Sequence, residues 1–94
     1  MALPQAFLTM PIAHRGLHGP GVPENSLAAA RAAIDAGYAI ELDIQPAADG
    51  EPMVFHDYDL RRLTGAQGFI AALDGASLSG LRLLGTDQRV PTLR

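Results

Sequence analysis

Two acidic residues separated by a single position carry the clearest chemical meaning in the sequence. Residues 39–45 alternate apolar and polar side chains, which predicts a β-strand whose polar face carries Glu41, Asp43 and Gln45. Two carboxylates on one strand face repel each other unless a cation lies between them. Hard divalent cations, Mg²⁺ or Ca²⁺, prefer oxygen ligands and leave room for a phosphate oxygen. The pattern therefore predicts a metal site, and a solvent-exposed polar strand face is the alternative.

Two histidines at the ends of predicted strands add groups suited to proton transfer. His14 follows the apolar pair 12–13 and precedes a loop rich in glycine and proline, and His56 ends the apolar run 52–55. Strand ends in α/β proteins are common positions for catalytic groups, and imidazole exchanges protons near neutral pH. A merely packed or hydrogen-bonded His56 is the alternative. Asp57 is predicted either to orient the His56 ring or to cap the next turn.

A helix is predicted between the first strand and the acidic strand. Asn25 or Ser26 can cap its start, and Gly37 is suited to end it. Leu27, Ala30 and Ile34 form a stripe at helical spacing, which predicts that they pack in the core. Strand, helix and strand in this order form a βαβ unit, so the two strands should be parallel. Because parallel strands are usually apolar on both faces, a polar row on one of them favours a site.

The second half of the sequence gives weaker predictions. Asp49 and Gly50 indicate a tight turn, after which the chain doubles back or runs beside the acidic strand. Residues 60–65 predict one helical turn, and the leucines within 74–84 predict one short helix. No repeat or linker divides the 94 residues, so we expect a single domain.

Composition excludes several classes of function. Seven basic residues against ten acidic ones, with a net charge of −3, argue against a nucleic-acid partner. The absence of cysteine excludes disulfides and thiolate zinc sites. The first 11 residues lack a signal-peptide pattern, and no apolar run is long enough to span a bilayer. We therefore expect a soluble cytoplasmic protein without stable membrane insertion.

Several short motifs, taken in order, resemble the glycerophosphodiester phosphodiesterase family. They are His14-Arg15-Gly16, Pro23-Glu24-Asn25-Ser26, Glu41-Leu42-Asp43, Asp49-Gly50, Val54-Phe55-His56-Asp57, Leu63-Thr64-Gly65 and Val90-Pro91-Thr92-Leu93. The resemblance implies a (β/α)₈ TIM barrel of about 250 residues. Residues 1–94 would then be a partial domain: strand 1, helix 1, strand 2 and the start of the family insertion, with the rest of the barrel outside them.

The resemblance also implies an activity and a set of roles. Enzymes of this family split glycerophosphodiesters into sn-glycerol 3-phosphate and an alcohol, and they require a divalent cation, here Mg²⁺ or Ca²⁺. By this resemblance Glu41 and Asp43 would be metal ligands, and His14 and His56 would be the general acid/base pair. Arg15 would contact the substrate phosphate. The family's third metal-binding carboxylate would lie beyond Arg94.

Two alternatives remain open at this point. A related barrel of the phospholipase type would need an apolar or cationic loop facing a membrane, which these residues do not provide. A non-catalytic fragment or interaction module is the second alternative, inactive because the third metal ligand is absent. A few strands of an eight-stranded barrel leave open edges, so such a piece is expected to self-associate through them.

Overall fold

The computed structural model describes residues 11–93, and the expectation about a signal peptide falls largely outside them. The described elements are short and alternate between strands and helices. They are β1 (Ile12–His14), α1 (Leu27–Asp35), β2 (Ala39–Glu41), β3 (Ile44–Pro46), β4 (Pro52–Val54), α2 (Arg61–Thr64), a 3₁₀ turn (Ile70–Ala72) and α3 (Gly75–Ser79). No helix in this part of the chain is long and apolar enough to cross a membrane.

The predicted βαβ unit is confirmed. Strands β1 and β2 pair in parallel, and the register places His14 opposite Glu41. Helix α1 connects them, and its first turn is capped by Ser26, whose Oγ accepts a hydrogen bond from the Ala29 amide at 3.0 Å. Gly37 follows the helix with a φ of +77°, the left-handed conformation that glycine adopts without strain. The carboxyl ends of β1 and β2 therefore lie side by side.

The predicted packing of α1 is wrong. Leu27 and Ile34 are 65% and 66% exposed, and the residues that α1 buries are Ala29 and Ala33. The reason is the close approach of the loop after β1: a Cβ built on Gly16 would lie 2.8 Å from the Ala29 Cβ. Only small side chains fit between the helix and this loop, so the larger ones point away from it.

The single strand predicted over 39–45 is also wrong, because it is divided into two. Strand β2 ends at Glu41 and β3 begins at Ile44, in a different sheet. Between them the Asp43 amide donates to Oδ1 of Asn25 at 3.3 Å, and the Asp43 carbonyl accepts from the Phe55 amide at 2.9 Å. Hydrogen bonds to a side chain and to another segment thus replace the β1–β2 ladder.

The chain doubles back after β3, as one of the two predicted paths requires. Strands β3 and β4 are antiparallel, with Gln45 opposite Met53. The turn between them contains Gly50, which has a φ of +84° and donates its amide to the Ala47 carbonyl at 2.9 Å. The predicted turn at Asp49 and Gly50 is therefore confirmed.

The main apolar core lies in the second half of the chain. Its buried residues are Ala47, Met53, Phe55, Leu60, Leu63, Ile70, Leu78, Leu83 and Val90. Helix α2 ends at Gly65, as predicted, and α3 starts at the cap Asp74. Helix α3 is shorter than the leucine pattern over 74–84 suggests, because Leu83 is buried from a non-helical segment. A hydrogen bond of 3.0 Å from the Ala28 amide to the Gln88 side chain ties α1 to this half.

Candidate active site

The first pair of predicted site residues meets at the ends of the parallel strands. His14 and Glu41 are partners in the β1–β2 register, and their Nε2 and Oε2 atoms lie 3.5 Å apart. Both side chains are open to solvent. An imidazole beside an accessible carboxylate can hold or release a proton, and the carboxylate keeps a second oxygen for another ligand.

Arg15 and Asp43 form a second pair beside the first. The buried Arg15 Nε lies 3.5 Å from Asp43 Oδ2, an ion pair without a well-aligned hydrogen bond. Another guanidinium nitrogen donates to Glu24 Oε2 at 3.1 Å. Arg15 has a φ of +60°, a left-handed conformation that costs a non-glycine residue free energy. The loop therefore holds this guanidinium against the acidic residues.

Asn25 is a site residue that the sequence analysis considered only as a helix cap. It is 1% exposed and has a φ of +57°. Its amide nitrogen Nδ2 donates to Asp43 Oδ2 at 3.0 Å, and its backbone amide donates to the Arg15 carbonyl at 2.8 Å. Asparagine tolerates this left-handed conformation better than most residues. The sequence feature that could have indicated this role is a second polar residue directly before the cap Ser26.

His56 forms its own pair with the next residue. Its Nδ1 lies 2.8 Å from Asp57 Oδ1, which confirms the predicted contact between the ring and this carboxylate. Hydrogen bonds from Arg62, and then from His56, hold the pKa of Asp57 at about 2, although partial burial opposes them. An ionised carboxylate can only accept, so this contact favours the tautomer with the proton on Nδ1 and leaves Nε2 outside the pair.

Arg62 and Glu24 connect the two halves of the site. Arg62 donates to both oxygens of Glu24 at 2.9 and 3.0 Å, and to both oxygens of Asp57 at 2.8 and 3.0 Å. Glu24 is buried, and the hydrogen bond from Arg62 is the largest cause of its lowered pKa. The sequence alone did not indicate either role, because the two residues lie 38 positions apart and no periodicity pairs them.

Gln45 lies away from the two carboxylates with which it was grouped. Its Nε2 donates to the Phe55 carbonyl at 2.9 Å and to the Asp57 carbonyl at 2.7 Å. The side chain therefore fixes the backbone on both sides of His56. The break between β2 and β3 explains the difference, since the strict alternation that grouped Gln45 with Glu41 requires one continuous strand.

A known protein family matches most of this chain. The model of the glycerophosphoryl diester phosphodiesterase family matches residues 14–94. The chain belongs to this family. A glycerophosphodiester phosphodiesterase of Caldanaerobacter subterraneus is 39% identical over 94 aligned positions, covering 90% of this chain and 37% of the relative. Glycerophosphodiester phosphodiesterase 1 of Rattus norvegicus is also 39% identical, covering 88% and 28%.

Solved structures of family members establish the fold of this chain. A phosphodiesterase of Oleispira antarctica, in complex with the product sn-glycerol-3-phosphate, superposes with a TM-score of 0.83 at 34% identity, covering 95% of this chain and 38% of that one. The glycerophosphodiester phosphodiesterase of Agrobacterium tumefaciens gives 0.82 at 34%, covering 90% and 39%. The chain thus has the fold of the N-terminal part of a (β/α)₈ barrel and spans about two fifths of these structures or less.

The donor chemistry of this family member fits a hard cation. Glu41 contacts His14 through Oε2, and the side-chain contacts of Asp43 use Oδ2. Each carboxylate therefore keeps one oxygen outside these contacts. Residues 11–93 contain no group of three or more histidine or acidic side chains arranged to hold a metal. Two carboxylates suit Mg²⁺, which is often bound by one or two carboxylates together with water and substrate phosphate.

Proposed function

We propose that the protein containing this chain is a metal-dependent phosphodiesterase that hydrolyses glycerophosphodiesters to sn-glycerol 3-phosphate and an alcohol. One observation carries the proposal: His14 and Arg15 lie against Glu41 and Asp43 at the ends of two parallel strands. The product bound in the Oleispira relative supports the substrate class. Glu41 and Asp43 would hold the divalent cation, Mg²⁺ or Ca²⁺.

The chain's own residues account for the remaining chemistry. A bound cation supplies charge stabilisation to the phosphate oxygens. Arg15, held by Glu24, is suited to contact the same phosphate with a charge-assisted hydrogen bond. One imidazole, of His14 or His56, takes the proton of the attacking oxygen as that oxygen bonds to phosphorus, and the other gives a proton to the departing alkoxide as its bond to phosphorus breaks. The attacking oxygen belongs to water or to the glycerol hydroxyl of the substrate, and in the second case water then opens the cyclic phosphate to give glycerol 3-phosphate. His56 has Nε2 available for this transfer, because Nδ1 faces Asp57.

The test is release of glycerol 3-phosphate from glycerophosphocholine by the complete polypeptide to which these residues belong, with and without EDTA. Its intact mass is measured on the same sample. We expect release that EDTA abolishes and that added Mg²⁺ or Ca²⁺ restores. Release that EDTA leaves unchanged would contradict the metal role of Glu41 and Asp43, and the absence of release would contradict the activity.

A second candidate function, self-association without catalysis, is favoured by the apolar side chains at the surface. Ile12, Leu27, Ile34 and Leu93 are each more than half exposed, and within residues 11–93 the parallel β1–β2 sheet has two strands. Open strand edges and apolar patches promote pairing with another chain. Light scattering on the 94-residue chain distinguishes the two, because a stable monomer of 9.9 kDa would contradict self-association.

A further inference from the structure

Four side chains form a continuous row of charged contacts that ends at His56. The ring Nδ1 contacts Asp57, Asp57 binds Arg62 through both oxygens, and Arg62 binds both oxygens of Glu24. Glu24 is 7% exposed, whereas His56 and Arg62 are exposed. The row therefore runs from a buried anchor to a ring at the surface.

Asp57 by itself leaves the ring poorly fixed. The two residues are neighbours in sequence, and a free carboxylate can rotate and offer either oxygen to the ring. Arg62 removes this freedom, because its Nε donates to Oδ2 of Asp57 at 2.8 Å and its Nη2 donates to Oδ1 of Asp57 at 3.0 Å. Oδ1, the oxygen that contacts His56, is thereby held at one place. A planar guanidinium fixes a carboxylate in this way, whereas an ammonium acts as a point charge.

Glu24 fixes the guanidinium in turn. Its two oxygens accept hydrogen bonds from Nη1 and Nη2 of Arg62, so the plane of the guanidinium is held between the carboxylates of Glu24 and Asp57. Oε2 of Glu24 also accepts from Arg15 at 3.1 Å. The buried carboxylate of Glu24 therefore positions Arg15, the proposed phosphate contact. Through Arg62 and Asp57 it also positions the ring of His56.

We propose that Arg62 is a positioning residue for His56, acting through Asp57 and anchored by Glu24. The inference rests on the proposed function in one respect, the role of His56 in proton transfer. Arg62 contacts the carboxylates and not the ring, so it acts on the orientation and tautomer of His56 and not on the binding of substrate. Its loss should lower kcat and leave KM nearly unchanged.

The test compares two adjacent arginines of α2. Arg62→Met removes the contacts to Asp57 and Glu24, and Arg61→Met is the matched control, since the Arg61 side chain makes no ion pair with another described residue. In the Arg62 variant we expect the ¹⁵N shifts of the His56 ring to move from a fixed Nδ1–H tautomer toward an average of two. We expect kcat to fall by up to about 100-fold with KM within about threefold. The Arg61 variant should match the parent in both measurements.

Arg62→Lys separates positioning from simple charge balance. Lysine keeps the positive charge but cannot bind both carboxylates in one plane. We therefore expect Arg62→Lys to have a melting temperature closer to that of the parent than Arg62→Met has, while its kcat stays as low as that of Arg62→Met. Full recovery of kcat would overturn the proposal, as would unchanged ring shifts in Arg62→Met. If the parent protein releases no glycerol 3-phosphate, the proposed function fails, and the ring shifts still decide whether Arg62 orients His56.

Discussion

The N-terminal region (residues 12–41) and the C-terminal region (residues 44–93) differ in what their buried side chains contribute. In the first region the buried apolar side chains are small, namely Ala13, Ala29, Ala33 and Pro23. In the second they include Phe55, Leu60 and six others larger than alanine. Burying a large apolar side chain stabilises a fold by about 1.5–3 kcal/mol, roughly two to four times what a single methylene group contributes. Stability is therefore concentrated in the C-terminal region.

The proposed site groups are instead shared between the two regions. His14, Arg15 and Glu41 belong to the N-terminal region, whereas His56 and the side chains that hold it, Asp57 and Arg62, belong to the C-terminal region. The polar contacts Glu24–Arg62 and Ala28–Gln88 join this region to the other. The comparison teaches that the C-terminal region provides most of the stabilising core, while the candidate site takes residues from both regions and depends on the polar contacts that join them.

The largest expected effect comes from a change that alters chemistry and leaves stability intact. Glu41→Gln removes a proposed metal ligand, so we expect the rate of glycerol 3-phosphate release to fall by about 10³-fold. Because Glu41 is exposed, the free energy of unfolding should change by less than about 0.5 kcal/mol. Kinetic assays and urea denaturation of one preparation measure both. Unchanged turnover would show that Glu41 is not a metal ligand.

A pair of leucine variants tests the stability side of the comparison. Leu78→Ala creates a cavity in the C-terminal core, and we expect it to lower the free energy of unfolding by about 2–5 kcal/mol. Leu27→Ala removes a side chain that is 65% exposed on α1, so its cost should be below about 0.5 kcal/mol. Urea denaturation measures both. Equal costs would show that stability is not concentrated in the C-terminal region.

Asn25 sharpens the comparison because it joins the N-terminal region to Asp43, which lies between the two regions. Asn25→Ala loses the hydrogen bonds to Asp43 and places alanine at a φ of +57°, so we expect a loss of about 2–3 kcal/mol in stability. Asn25→Gly loses the same hydrogen bonds but adopts this φ without strain, and it should lose less. Both should weaken Mg²⁺ binding by calorimetry to a similar degree. A normal Mg²⁺ affinity in both variants would exclude a role for Asn25 in holding Asp43.

The smallest expected effect is on the pH dependence of stability. The contact with Arg62 lowers the folded-state pKa of Asp57 from 3.8 to about 2. The stabilisation is thus fully present above about pH 4 and is lost as the pH falls toward 2. Urea denaturation between pH 5 and pH 2 should show a shallower loss of stability in Asp57→Asn than in the parent. Parallel curves would mean that the Asp57 carboxylate does not stabilise the folded state.

Local sequence patterns predicted most of the elements but not their packing. The cap at Ser26, the stop at Gly37 and the turn at Gly50 depend on neighbouring residues, and all three are observed. The parallel pairing that brings His14 to Glu41 followed from the order of strand, helix and strand. The exposure of Leu27 was not predictable from its spacing, because periodicity indicates that a face is apolar and not which surface covers it.

The candidate site was predicted residue by residue, but apart from the contact between His56 and Asp57 the contacts that support it were not. His14, Glu41 and Asp43 stood out because their types and spacing suit metal and proton chemistry. The contact between Glu24 and Arg62 depends on how two segments 38 positions apart are brought together. No local preference encodes such a contact, since it arises only when the two regions pack.

The loop between Arg15 and Asn25 is closed before any ligand arrives. Both end residues are left-handed, the Asn25 amide donates to the Arg15 carbonyl at 2.8 Å, and Gly19 and Val22 exchange hydrogen bonds within the loop. Ordering a flexible backbone costs about 1–2 kcal/mol per residue. Here that entropy is lost during folding, so capture of a phosphate by Arg15 does not have to order this loop as well.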